Sequence, residues 1–159
     1  VSEWWLRPVL GAFAVGLLVL AVGNDAYLGL GAWSPDPGDP TLLTVFHAGG
    51  ADTWSWAWKL VFTAVTVGAG FKGGEVTPLF FIGAALGHVA GPLLGLPLAL
   101  GAALGFAALF SGATKTPLAC TLLAVEIFGG SHASLFAVAC LASYLASGAA
   151  GIYSAQRRE

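Results

Sequence analysis

The sequence contains little charge. Of its 159 residues, 9% are charged and 57% are hydrophobic. Soluble globular domains carry about 25% charged residues, so this chain has too little charge to cover a water-facing surface. Three long stretches have no charged residue at all: 8–24, 76–114 and 127–156. A bilayer core takes roughly 20 apolar residues as helix. The first stretch is near the lower limit and the other two exceed it, which indicates an integral membrane protein embedded in a lipid bilayer.

Basic patches and clustered metal ligands are also missing. The net charge is −2, and without a basic run the chain is not expected to bind nucleic acid. Cys120 and Cys140 lie in apolar runs with no second ligand nearby, so neither a disulfide nor a metal site is expected. No residue pattern indicates a cofactor.

Glycine and proline divide the apolar sequence into uneven segments. Helices are predicted over residues 4–23, 52–67, 75–90, 98–110, 116–128 and 132–147, with shorter pieces at 41–47 and 152–158. Pro92 and Pro97 are expected to break the chain, and Ser111-Gly112 to end the segment before it. Several of these segments are too short to cross a bilayer. Interrupted backbone inside a membrane is tolerated only where it is buried or lines a cavity, as in transporters with discontinuous helices.

One segment, residues 73–78, combines the features of an ion site. A glycine pair directly before a helix start leaves backbone N–H groups free at the positive end of the helix dipole, which favours an anion. The Thr77 hydroxyl adds a donor, and Pro78 suits the first helical turn. Glu75 has two interpretations: it caps the helix start, or it takes part in ion or proton transfer, because carboxylates at membrane depth are usually functional.

These residues resemble a known family. Gly74-Glu75-Val76-Thr77-Pro78 is similar to the Gly-x-Phe-x-Pro signature of CLC anion channels and transporters, and Glu75 with Val76 resembles the variant of the fluoride/proton antiporter branch. Lys115-Thr116-Pro117-Leu118 resembles the family's Arg-Ala-Pro-Leu stretch. Gly151-Ile152-Tyr153-Ser154 resembles the start of its last helix, whose tyrosine reaches the central anion.

The resemblance implies an all-α integral membrane fold with tilted, broken and re-entrant helices. Residues 1–159 would form a single membrane domain, the second inverted-repeat half of a CLC protein. The N-terminal half, which carries the gating glutamate in the family, is not in this sequence. The resemblance further implies a multi-pass protein of the cell inner membrane or plasma membrane. It would be a homodimer through residues 116–128 and 132–147.

The resemblance also implies a function and a site. Anions, fluoride or chloride, would pass along Gly74, Glu75, Val76, Thr77 and Tyr153, and Glu75 would couple their movement to protons. Fluoride export coupled to proton entry is the expected activity.

Three alternatives remain at this point. The first is a CLC channel or antiporter for chloride, and the second is an inactive membrane scaffold that lacks the gate. The third is an intramembrane hydrolase with Ser111 as nucleophile and His88 or His132 as base, but Ser111 lacks the Gly-x-Ser-Gly setting of such enzymes. The chain is therefore not expected to be an enzyme.

Overall fold

Helices joined by loops make up the described part of the protein. A computed structural model describes residues 6–23, 25–149 and 151–152, in which there are six α-helices, two short 3₁₀ turns and no β-strand. The helices are α1 Leu6–Val22, α2 Ser55–Gly68, α3 Val76–Leu93, α4 Leu98–Thr114, α5 Pro117–Phe128 and α6 Ala133–Ala146. The 3₁₀ turns are Thr44–Phe46 and Gly130–His132. Every helical segment predicted before residue 150 is present.

Two predicted helix ends are wrong. Pro92 does not break α3 but lies in its last turn, where a proline loses one backbone hydrogen bond and keeps a helical φ. The helix ends after Leu93, and Gly95 follows in a left-handed conformation with φ +74°. Ser111-Gly112 does not end α4 either. The Ser111 hydroxyl donates to the carbonyl of Cys140 on α6 at 2.9 Å, so these small residues serve helix packing.

Glycines allow α3 and α4 to pack at backbone distance. A Cβ added to Gly87 of α3 would overlap with the carbonyl oxygen of Gly101, and one added to Gly105 of α4 would overlap with that of Gly83. Small residues four apart let membrane helices approach closely, so that dispersion forces stabilise the pair. This pair forms the centre of the fold, with α6 packed on α4 and α2 on α3.

Large apolar side chains cover the outside. On α1, Phe13 is 69% and Leu20 is 80% exposed; on α5, Leu118 is 77% exposed, and on α6, Leu145 is 74% exposed. Glu126 is exposed on α5 among apolar neighbours. By length and composition, α3 could cross a membrane, and four other apolar helical stretches are shorter. An apolar surface of this extent requires lipid or further protein around it.

Candidate anion site at the start of α3

The candidate site lies where the chain leaves α2 and enters α3. Residues 71–74 form an exposed, irregular connection between the two helices, and α3 begins at Val76 with Glu75 as the residue that precedes it. The Glu75 side chain makes no capping hydrogen bond to the start of the helix. The capping interpretation of Glu75 is therefore not supported, and its carboxylate stays available for other chemistry.

The start of α3 carries hydrogen-bond donors that nothing else in the described chain uses. The first N–H groups of an α-helix have no partner inside the helix, and here no side chain caps them. The Thr77 hydroxyl has no hydrogen bond to any described residue, and its side chain is half-buried. These donors lie at the positive end of an 18-residue helix. Such an arrangement favours an anion.

A cavity of about 140 Å³ adjoins this helix start. One wall is the loop from Tyr27 to Leu30, a second is the face of α2 that carries Thr63 and Thr66, and the third is formed by Gly73, Gly74 and Pro78. Tyr27 is itself fixed, because its hydroxyl shares a hydrogen bond with Ser55 at 3.1 Å. The helix start is thus bordered by a partly open and largely apolar cavity.

Lys59 is the residue that the sequence analysis missed. It is fully buried in α2, and its ammonium group donates to the carbonyl oxygens of Tyr27, Leu28 and Gly29 at 3.0, 3.4 and 2.9 Å. The signal in the sequence was a single lysine inside the apolar run of a helix, since ionisable residues in such segments are usually functional.

Tyr153 lies outside the described residues, so its predicted place in the site is not tested. The chain just before it is fixed: the backbone N–H of Ile152 donates to the carbonyl of Ala113 at 2.9 Å. The Lys115 ammonium donates to the carbonyls of Ser147 and Gly148 at 3.2 and 2.9 Å. The end of α6 is thereby held against the end of α4.

The hydrolase arrangement is not assembled. Ser111 donates to Cys140, and His88 is hydrogen-bonded through Nδ1 to the carbonyl of Val45 at 2.6 Å, so no histidine of the described residues pairs with Ser111. His132 is exposed at the second 3₁₀ turn. Among the residues that the structure describes, no three histidine, cysteine or carboxylate side chains form a metal-binding group.

Comparison with known proteins identifies the family. Residues 2–148 match the model of the family described as "Voltage gated chloride channel". The chain belongs to this family, the CLC proteins. A CLC relative from Pseudomonas syringae pv. tomato, named "Chloride/fluoride channel protein", is 48% identical over an alignment of 158 residues, and the match covers 96% of this chain and 33% of the relative. An uncharacterized protein of Methanocaldococcus jannaschii is 42% identical over 71 residues, 45% of this chain and 18% of that protein.

The CLC fold is confirmed by a solved structure. The crystal structure of a CLC-type fluoride/proton antiporter superposes on this chain with a TM-score of 0.89 at 37% identity, over 99% of this chain and 38% of that one. The chain therefore spans about a third of the length of the CLC proteins that it matches along its whole extent. Membership of this family confirms the all-helical membrane fold predicted from the sequence.

Proposed function

We propose that this chain lies in the second inverted-repeat half of a CLC transporter that exports fluoride in exchange for protons. The observation that carries the proposal is the uncapped start of α3, where the first backbone N–H groups and the Thr77 hydroxyl, which have no partner among the described residues, follow directly on Glu75 in the chain. Gly74, Glu75, Val76 and Thr77 then line the anion path. The names of the Pseudomonas relative and of the solved antiporter support fluoride as the ion.

Fluoride suits these donors for a physical reason. The ion is small and strongly hydrated, so a site must replace its water with close and strong hydrogen bonds. Backbone N–H groups and a hydroxyl act more strongly in a low-dielectric environment than in water. An aromatic side chain at position 76 would crowd the ion, whereas Val76 leaves space. Tyr153 would add its phenol O–H from the last segment of the chain.

Glu75 would provide the coupling to protons. An ionised carboxylate beside the site repels an anion, and a protonated carboxyl can donate a hydrogen bond to it. The protonation state of Glu75 and the occupancy of the fluoride site are therefore linked. In the complete transporter, exchange would require the site to carry fluoride outward and Glu75 to carry a proton inward in separate steps of the cycle.

The rest of the transporter belongs to the proposal as well. Residues 1–159 act as one membrane domain that needs the remaining two thirds of the polypeptide, including a gating glutamate, in the inner or plasma membrane. The exposed apolar faces of α5 and α6, which include Leu118 and Val138, support a homodimer through residues 116–128 and 132–147. No part of the proposed cycle makes or breaks a covalent bond in a substrate, so the protein acts as a transporter and not as an enzyme.

Chloride transport is the second candidate function, because the family is described by that ion. The test is ion flux from proteoliposomes that contain the complete transporter polypeptide. Fluoride efflux is expected to exceed chloride efflux by at least tenfold. Chloride efflux equal to or faster than fluoride efflux would assign the protein to chloride, and efflux of neither ion would favour the scaffold.

A further inference from the structure

Lys59 is a buried charge without a counter-charge in the part of the chain that the structure describes. Its side chain is 0% exposed, and its polar partners are three backbone carbonyls and no carboxylate. Burial of an unpaired charge is costly unless hydrogen bonds compensate it. An ammonium group has three N–H donors, and here three carbonyl oxygens of consecutive residues accept them. The loop from Tyr27 to Gly29 is therefore folded around the ammonium group.

The same ammonium group also contacts α3. It lies 5.8 Å from the centroid of the Phe81 ring, within the range of a cation–π interaction. Phe81 is 1% exposed and lies in the second turn of α3. The Lys59 nitrogen thus links the Tyr27–Gly29 loop to α3. The first turn of α3 forms the candidate anion site.

The loop that Lys59 holds faces that first turn across the cavity. Tyr27, Leu28, Gly29 and Leu30 line one side, and Gly73, Gly74 and Pro78 line another. Gly31 ends the loop with φ +72°, and a Cβ at this position would lie 3.0 Å from the Lys59 nitrogen. A side chain on the residue after Leu30 would therefore be strained by the left-handed backbone and would press on the ammonium group, which favours glycine at position 31.

We propose that Lys59 is a positioning residue for the anion site. Its charge fixes the position of the Tyr27–Gly29 carbonyls relative to Phe81 on α3. The loop wall of the cavity therefore keeps a fixed position relative to the donors of Val76 and Thr77. The inference rests on the proposed function, because it assigns to Lys59 the geometry of that same site. Loss of the charge leaves three carbonyls without a donor, so the loop moves and the donors lose their alignment with the ion.

The test uses half-saturation concentrations for anion flux in the complete transporter. Lys59→Met removes the charge and keeps an unbranched side chain, and Gly31→Ala leaves the charge in place but pushes the loop away from it. Arg7→Met removes a positive charge from the exposed start of α1. Gly95→Ala adds a Cβ at φ +74° where no atom lies within 4 Å. These two variants are the matched controls.

We expect Lys59→Met and Gly31→Ala each to raise the half-saturation concentration on the order of tenfold, because a donor that loses its alignment with the ion weakens a hydrogen bond to a charged group. The two controls are expected to leave it unchanged. A merely structural role of Lys59 lowers the amount of folded protein, and with it the maximal flux, without a change in the half-saturation concentration.

Three outcomes would overturn the proposal. The first is an unchanged half-saturation concentration in folded Lys59→Met protein, and the second is the same result in Gly31→Ala. The third is failure of both variants to fold while both controls fold, since Lys59 would then serve folding alone. Failure of the proposed function is a separate result. If the wild type prefers chloride, the same comparison is made with chloride, and a shift in its half-saturation concentration still supports the role of Lys59.

Discussion

Thr77 is the side chain whose contribution to the site is simplest to isolate. Thr77→Ala removes one hydroxyl donor from the start of α3 and leaves the helix intact. A hydrogen bond to a charged group contributes about 1.5–3 kcal/mol, so the half-saturation concentration for fluoride should rise on the order of 10- to 100-fold. The half-saturation concentration is measured from fluoride flux out of proteoliposomes, recorded with a fluoride-selective electrode.

Thr77→Ser restores the hydroxyl and should recover most of the affinity for fluoride. Thr121→Ala is the matched control, because the Thr121 hydroxyl donates to the carbonyl of Pro117 within α5. A half-saturation concentration that is equal in Thr77→Ala and wild type would remove Thr77 from the site.

Glu75 is expected to control the protons. Glu75→Gln keeps the size and a hydrogen-bond donor but cannot exchange a proton, so fluoride and proton fluxes should become uncoupled. Simultaneous recording of external fluoride and pH should show fluoride efflux at least tenfold slower and no accompanying proton uptake. Asp36→Asn, on the exposed loop after α1, is the control for loss of a negative charge. Proton uptake in Glu75→Gln at the wild-type ratio to fluoride would exclude Glu75 as the coupling group.

The local structure of one short segment of the site was predictable from the sequence. Contacts between segments far apart in the sequence were not. The glycine pair before Glu75 and Pro78 after it indicated a helix start from sequence alone. Lys59 could not be placed because its three acceptors are backbone carbonyls about 30 positions earlier. Every residue has a backbone carbonyl, so no pattern of residue types in the sequence identifies which carbonyls accept hydrogen bonds from Lys59. Tyr153 and its relation to Glu75 stay predictions.

At the scale of helices, the contact between α3 and α4 depends on its glycines. Gly87→Ala would place a Cβ on the carbonyl of Gly101, and overpacking of a tight core costs about 1–3 kcal/mol. The melting temperature of the purified transporter in detergent should fall by several degrees. Gly16→Ala on α1 is the control, because no atom lies within 4 Å of its added Cβ. The α3–α4 contact is less tight than described if the two variants melt alike.

Helix positions were predictable from apolar runs and breakers, and some helix ends were not. Pro92 and Gly112 are breakers by type, yet one lies in a last turn that tolerates proline and the other packs against Ser143 of α6. A breaker in sequence shows where a helix can end. Tertiary packing decides whether it does.

At the scale of the whole molecule, the exposed faces of α5 and α6 predict a dimer. Leu122 and Val138 are 66% and 65% exposed, and a tryptophan at either position would separate two apolar faces that pack closely. Leu122→Trp combined with Val138→Trp should shift the transporter in detergent from dimer to monomer, measured by light scattering. Leu20→Trp on the exposed face of α1 is the control. A dimer that persists in the double variant would place the contact elsewhere.

The complete assembly was the least predictable level, because the chain spans about a third of the length of its relatives. A site built between two halves of a repeat cannot be completed from one half. The upstream sequence of the same gene should contain a Gly-x-x-Glu-Gly motif with the gating glutamate. Its absence would favour the inactive scaffold.

The most direct test of fluoride–proton exchange is movement of fluoride against its own gradient. Proteoliposomes that hold the complete transporter are given equal fluoride on both sides and a lower external pH. The account predicts that protons enter and that fluoride leaves until its external concentration exceeds the internal one, while chloride in a parallel experiment stays at equilibrium. Fluoride that stays at equilibrium under the same proton gradient, or chloride that is expelled as readily, would contradict it.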